Sequence, residues 1–171
     1  MKCLGAALIT AMLAVAVGAT ARASSSPIDV NTFADASYIY IATIRKDGSQ
    51  SSAVPVWFVT NAQGQILIDT NSNSWKARRV RRGSPVIVWM GARTGPAFIG
   101  KAEFVTDPSV QDQMIERIPQ KYLLARLGWF GPKRANFDSG KVVTIRITPE
   151  RGLPAGFESQ PGAPAPTVAP H

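Results

Sequence analysis

The sequence predicts a mainly β domain: six mostly antiparallel strands, with a few short helices, that close or nearly close into a barrel. Three observations carry that expectation. β-rich runs are separated by tight-turn signals, Lys46-Asp47-Gly48-Ser49 and Asn61–Gly64. Apolar residues recur with period two in the later runs, Ala97–Val105 and Lys141–Thr148. With both ends of the 171-residue chain set aside, about 120 residues remain, near 33–152. Six strands in so small a domain leave fewest free edges when they close on one another.

The elements follow in order. Tyr38–Arg45 is the first strand, ending in the Asp-Gly turn. Gln50–Val59 is the second; Pro55 removes a ladder donor, so the strand lies at an edge or is bulged there. Gln65–Asp69 is the third, and the three make a meander. Asn71–Ser74 then offers N-cap residues for one short helix, Trp75–Arg82, closed by Gly83. Pro85–Met90 and Ala97–Val105 are the fourth and fifth strands. Asp107-Pro108 starts a helix with Val110, Met114 and Ile118 on one face. Pro119 is expected to break it, and a second short helix carries Tyr122, Leu123 and Leu127. Trp129–Pro132 is a loop, and Lys141–Thr148 is the sixth strand.

The two ends read differently. Residues 1–23 have the form of a secretory signal: Lys2, an apolar run from Leu4 to Ala19, and Ala21-Arg22-Ala23 as a small-x-small cleavage site. Cleavage after Ala23 puts the protein in the periplasm or outside the cell, with no stable membrane insertion; the alternative is an uncleaved anchor. Residues 24–32 read as a flexible segment. Residues 153–171, broken by five prolines, read as a disordered tail.

Composition narrows the chemistry. The single His is His171, at the chain end, and the single Cys is Cys3, inside the leader. That excludes a Ser-His-Asp triad, a His-rich metal site, a disulfide and a Cys nucleophile from the core. An enzyme on this chain therefore borrows its reactive group. Without Lys2 and Arg22 the chain has 17 basic and 11 acidic residues, a charge of +6. The surplus concentrates in Lys76, Arg78, Arg79, Arg81 and Arg82, directly after Thr70, Ser72 and Ser74. Hydroxyls, a helix start and a first-turn lysine together suit a phosphate. The alternative is a solvated basic face, which Arg81 and Arg82 fit best. Nucleic acid is disfavoured, because no aromatic stripe accompanies the arginines. No side chain stands out as a general acid or base.

Several strings, in their order and spacing, resemble the flavin-binding split β-barrel family, which includes the pyridoxamine-phosphate oxidases and their deazaflavin-using relatives. They are Tyr-Ile-Ala-Thr-Ile-Arg-Lys-Asp-Gly at 40–48, Val-Pro-Val-Trp-Phe-Val at 54–59, and Asp-Thr-Asn-Ser-Asn-Ser-Trp-Lys-Ala-Arg at 69–78. Ser-Pro-Val-Ile-Val at 84–88, Ile-Gly-Lys-Ala-Glu at 99–103 and Val-Thr-Ile-Arg-Ile-Thr-Pro-Glu-Arg at 143–151 complete them. The resemblance implies a six-stranded antiparallel split β-barrel that forms a homodimer, with a flavin in each interface cleft. It places Val54, Val56 and Trp57 beside the flavin ring, with the N–H groups of Val54 and Val56 at the ring edge. It places Asp69, Thr70, Trp75 and Lys76 at the phosphate, where Ser74 is a further hydroxyl donor and Arg79 a candidate to replace the cation lost at Trp75. Trp129 and Phe130 are candidates to flank a substrate.

The implied function is that of an exported flavin mononucleotide-binding oxidoreductase, moving hydride to or from a small molecule. The family's oxidases carry Arg-Lys where this chain has Trp75-Lys76, and a cation where it has Ala53. Pyridoxamine-phosphate oxidation itself is therefore not expected. With only His171 available, neither is a haem site, and no metal is implied. The alternatives are a deazaflavin-dependent reductase, whose acidic cofactor tail suits a basic groove, and a non-catalytic flavin-binding or interaction module.

Overall fold

The computed structural model describes residues 28–166. Seven strands form one antiparallel sheet: β1 (Ile39–Thr43), β2 (Val54–Val56), β3 (Val59–Thr60), β4 (Ile66–Asn71), β5 (Val86–Met90), β6 (Ala97–Val105) and β7 (Val142–Gly152). Their order is β2-β1-β5-β6-β7-β4-β3. β2 and β3 therefore lie at opposite edges, although only Trp57 and Phe58 separate them in the chain. Three peptide steps span at most about 11 Å. The sheet must curl until its edges meet, and that makes the split barrel. The expected second strand, 50–59, is thus two short strands on either side of the closing seam, and six strands become seven. Pro55 sits on edge strand β2, where a missing ladder donor costs nothing.

Alternation along the strands sorts the core into an inside and two covered outer faces. Ile39, Ile41, Ile66, Ile68, Val88 and Phe98 fill the barrel, joined by Val80 of helix α1 (Trp75–Arg81). Val59 and Leu67 face outward and are covered by Met114 and Ile118 of helix α2 (Pro108–Lys121). Helices α3 (Leu123–Arg126) and α4 (Arg134–Asp138) follow before β7. Asp107 caps α2 as expected, its Oδ1 accepting from Ser109 N–H at 2.9 Å, with Pro108 in the first turn.

Pro119 does not end α2, which continues to Lys121. Met114 and Ile118 are fully buried, at about 1.5–3 kcal/mol each. That offsets the one helical bond a proline removes, a net loss of about 0.5–1.5 kcal/mol. The helix stops at Tyr122, whose backbone is extended. There the Tyr122 hydroxyl closes the barrel seam. It accepts from Phe58 N–H at 3.0 Å and donates to the Phe58 carbonyl at 3.1 Å, standing in for a neighbouring strand.

Both expected flexible ends need correction within the described residues. Val30–Phe33 is a 3₁₀ turn with Val30 fully buried. Residues 153–166 run over the outer face of β1 and β5, against Ala42, Ile87 and Trp89. Phe157 stacks on Trp89 at 5.9 Å, and Trp89 Nε1 donates to the Phe157 carbonyl at 2.6 Å. Gln50 receives the chain further on: its N–H donates to Ala163 O at 2.8 Å and its Nε2 to Pro164 O at 2.9 Å. The prolines prevent helix and strand but also lower the entropy lost in fixing an irregular path. The expected signal, 1–23, lies outside the described residues.

Candidate functional site

β4 ends at Asn71 and α1 begins at Trp75, so the joint between them is the three residues 72–74, with Ser74 as N-cap. Ser74 Oγ accepts from Ala77 N–H at 3.1 Å and lies 3.2 Å from Thr70 Oγ1. Asn71 Oδ1 tightens the turn by accepting from Asn73 N–H at 2.8 Å. Lys76 stands in the first turn of α1, two residues after the Ser74 cap. Burial pulls its ammonium down to about 8, against the pull of the Asp69 carboxylate, which raises it. Burial likewise pushes the Asp69 carboxyl up, with Lys76 opposing. The structure therefore couples Lys76 to Asp69 and, separately, brings the Thr70 and Ser74 hydroxyls together. Two hydroxyls and a poorly hydrated cation are the donors an anion needs, and an anion would restore what burial removes from Lys76.

Arg79 goes elsewhere. Its Nη1 donates to Thr43 Oγ1 at 2.8 Å, not to Thr70 or Ser74. Trp75, Arg78, Arg79 and Arg82 follow i, i+3, i+4, i+7 spacing and share a helix face. That face and the β1–β2 turn enclose a groove of about 540 Å³, lined by Arg45, Lys46 and Asp47 on the turn side. Trp75 is 68% exposed, and the Arg78 and Arg79 guanidinium carbons lie 5.1 and 5.7 Å from its ring centre. Burial, then repulsion from Arg45 and Arg82, lowers the Arg79 pKa. Trp75 and Arg79 thus belong to the groove, and Lys76 to the joint.

The β2 expectation is corrected in part. The Thr43 carbonyl accepts from Ser51 N–H at 2.9 Å, so the odd-numbered residues of β1 point their polar groups toward the second strand. Val54 pairs with Ile41 and Val56 with Ile39. Alternation then turns the N–H groups of Val54 and Val56 toward β1, away from a ring at the open edge. The Val54 side chain remains exposed. Trp57 stacks on Tyr122, with ring centres 4.6 Å apart and planes 12° apart. Trp129 and Phe130 are exposed, and continue an apolar run from Leu123, Leu124 and Leu127.

Sequence reasoning missed three participants. Arg45 and Lys46 line the groove from a turn 30 residues before α1 in the chain; their place in a basic Arg-Lys-Asp-Gly turn was the available signal. Lys121 lies 3.5 Å from the Phe58 ring centre and donates to the Phe58 carbonyl at 3.2 Å. Burial pulls its ammonium down to about 8. Nothing local in the sequence marks that contact. Among the described residues, no group of three or more His, Cys, Asp and Glu is placed to hold a metal ion.

The family model described as pyridoxamine 5′-phosphate oxidase matches residues 29–154. No curated relative matches the chain. Among solved structures, the conserved hypothetical protein Rv2991 of Mycobacterium tuberculosis is similar at 24% identity and a TM-score of 0.55, covering 77% of this chain and 86% of that one. General Stress Protein 26 of Bacillus anthracis is similar at 17% identity and a TM-score of 0.51, covering 71% and 86%. An F420 reductase is similar at 14% identity and a TM-score of 0.50, covering 75% and 98%. At these identities the solved structures establish the shared fold.

Proposed function

The chain belongs to the pyridoxamine 5′-phosphate oxidase family, and we propose on that premise that it is a flavin-dependent oxidoreductase with its phosphate site at the β4–α1 joint. The observation that supports this most is Lys76 in the first turn of α1, a cation drawn out of water, coupled to Asp69 and two residues after the Ser74 cap, whose hydroxyl meets that of Thr70. Lys76 would donate N–H, and Thr70 and Ser74 O–H, to a flavin mononucleotide phosphate. Asp69 would hold the lysine charged. A bound flavin would supply hydride transfer between two small molecules. The chain itself would bind and orient. Trp75 in place of a second cation, and Ala53 on the ring strand, argue against pyridoxamine phosphate as the substrate.

Export and dimerisation belong to the same proposal. The leader-like residues 1–23 support release outside the cytoplasm after cleavage at Ala23. The exposed run Leu123, Leu124, Leu127, Trp129 and Phe130 supports a homodimer, because so much contiguous apolar surface is unusual on a monomer. A deazaflavin-dependent reductase is the second reading, favoured by the basic groove beside the joint.

Titration of the full chain with flavin mononucleotide tests the reading. Lys76→Ala should weaken binding by about 1.5–3 kcal/mol, the range for a charged hydrogen bond. A protein that takes up neither flavin mononucleotide nor deazaflavin would sink it. Turnover with reduced nicotinamide and an artificial acceptor would then separate an enzyme from a carrier.

A further inference from the structure

We propose that residues 157–165 are positioning residues for the basic groove: they pin the β1–β2 turn and, through it, the Arg45 guanidinium, where the acidic tail of a deazaflavin cofactor would meet it. The proposal rests on the second reading above, the deazaflavin one. It adds to that reading residues that lie beyond 154, where the match to the family model ends.

A shared acceptor joins the segment to the groove. The Gln50 carbonyl accepts from Gly162 N–H at 3.0 Å and also from Arg45 Nη1. Arg45 lines the groove. Its Nη1 also donates to Ser49 Oγ at 3.0 Å, and Ser49 forms a β-bridge with Pro164. Both acceptors that hold Arg45 thus stand on residues paired with the segment.

The grip on the turn is close. Ala165 N–H donates to Gly48 O and Gln50 N–H to Ala163 O, both at 2.8 Å. Gln50 Nε2 donates to Pro164 O at 2.9 Å, and Gln50 is only 3% exposed. The start of the segment is anchored separately: Phe157 stacks on the fully buried Trp89, whose Nε1 donates to the Phe157 carbonyl.

A groove of like charges needs such a brace. Arg79 and Arg82 reach across to β1 and the residue after it, donating to Thr43 Oγ1 at 2.8 Å and Ile44 O at 2.9 Å. These acceptors are neutral. Asp47, the one acid lining the groove, is engaged by Ser49 N–H at 2.9 Å. Repulsion among Arg45, Arg79 and Arg82 therefore pushes the turn away from α1, and the bonds to Gly48 and Gln50 resist it. An arginine already fixed in the free protein loses no further freedom when an anion binds, which is the gain from preorganisation.

Nuclear magnetic relaxation of the arginine Nε–H groups in the ligand-free full chain tests the brace directly. Phe157→Ala, which loses the anchor, and Ala165→Pro, which loses the N–H to Gly48 O, should each loosen Arg45. Arg146, paired with Glu103 at 3.3 Å across β6 and β7, should stay as it is. Phe157→Tyr, which keeps the stack, should leave Arg45 as ordered as in the unaltered chain. Titration with a deazaflavin cofactor gives the functional readout. In Phe157→Ala, affinity for the cofactor with its acidic tail should fall about two- to tenfold, as for one long side chain that must be fixed on binding. The same deazaflavin without the tail should bind as it does to the unaltered chain. In an Arg45→Gln background, Phe157→Ala should add less than about twofold, because the two changes act through one group. The proposal is overturned if Arg45 keeps its order in both segment variants, if the loss is equal with and without the tail, or if it persists in full without Arg45. Failure of both deazaflavin forms to bind the unaltered chain would count against the deazaflavin reading, and the relaxation of Arg45 would then decide the positioning role by itself.

Discussion

Replacing Tyr122 by Phe removes one oxygen atom from the seam where β2 passes into β3. That oxygen accepts from Phe58 N–H at 3.0 Å and donates to Phe58 O at 3.1 Å. The two losses are unequal. Lys121 Nζ also donates to the Phe58 carbonyl, at 3.2 Å, so the carbonyl keeps a partner. The N–H does not, and Phe58 is fully buried. An orphaned buried donor costs about 1–3 kcal/mol. The ring itself stays stacked on Trp57, so about 2 kcal/mol is the expected total. At roughly 4 °C per kcal/mol for a domain of this size, the melting temperature falls by about 8 °C. Urea unfolding measures the loss, and amide exchange at Phe58 locates it. Tyr122→Leu should cost about 0.5–1.5 kcal/mol more, because it also loses the stack. Alkali gives an independent check. Burial pushes the Tyr122 hydroxyl up to about 12, whereas in the unfolded chain it ionises near pH 10. Between these values the unfolded state binds fewer protons, so stability falls as pH rises. The Phe variant should lose that component. A stability change below about 0.5 kcal/mol, with Phe58 exchange unaltered, would refute the account of the seam.

Two further outcomes are expected. Anion affinity at the β4–α1 joint should weaken as pH rises through about 8, where Lys76 gives up its proton; Lys76→Arg should remove that dependence, and flavin mononucleotide titrations across pH 7–9 check it. Phe157→Ala should cost about 1–2 kcal/mol in stacking and partial burial and expose residues 153–166 to limited proteolysis while the barrel stays folded.

The sequence made most of this fold legible where the signal was local. Val86–Met90, Ala97–Val105 and the start of β7 lie in their expected runs, because a strand's own alternation and apolar content announce it. The closing seam had no such signal. Trp57 and Phe58 are as β-prone as their neighbours, and nothing between 54 and 60 records that the two halves pair with different strands. Pro119 misled for a related reason: the burial of Met114 and Ile118 that holds the helix together is supplied by β3 and β4. Prolines in 153–166 exclude regular structure without excluding order, because the packing of Phe157 on Trp89 lies outside the local sequence. At the joint, the contact of Thr70 with Ser74 is local, because four steps of chain and an N-cap turn bring the two hydroxyls together. The place of Arg45 and Lys46 in the groove is not, because only the folded β1–β2 turn carries them to α1.

The separation of Lys76 from the arginines follows from the helix itself. Lys76 stands one position out of step with the Trp75, Arg78, Arg79, Arg82 row, and its neighbours Ala77 and Val80 are the buried ones. That puts the lysine at the boundary with the core and the arginines on the outer wall. Burial therefore pulls the lysine down to about 8, whereas the guanidinium row faces the outer side of the helix. One short helix thus carries a cation of lowered pKa on one side and a row of guanidinium groups on another. If one ligand spanned both, raising the pH would release its end at the joint first and leave the other end held. If two ligands bound separately, only the one at the joint would show pH dependence. The same flavin mononucleotide and deazaflavin titrations, run across pH, distinguish these arrangements.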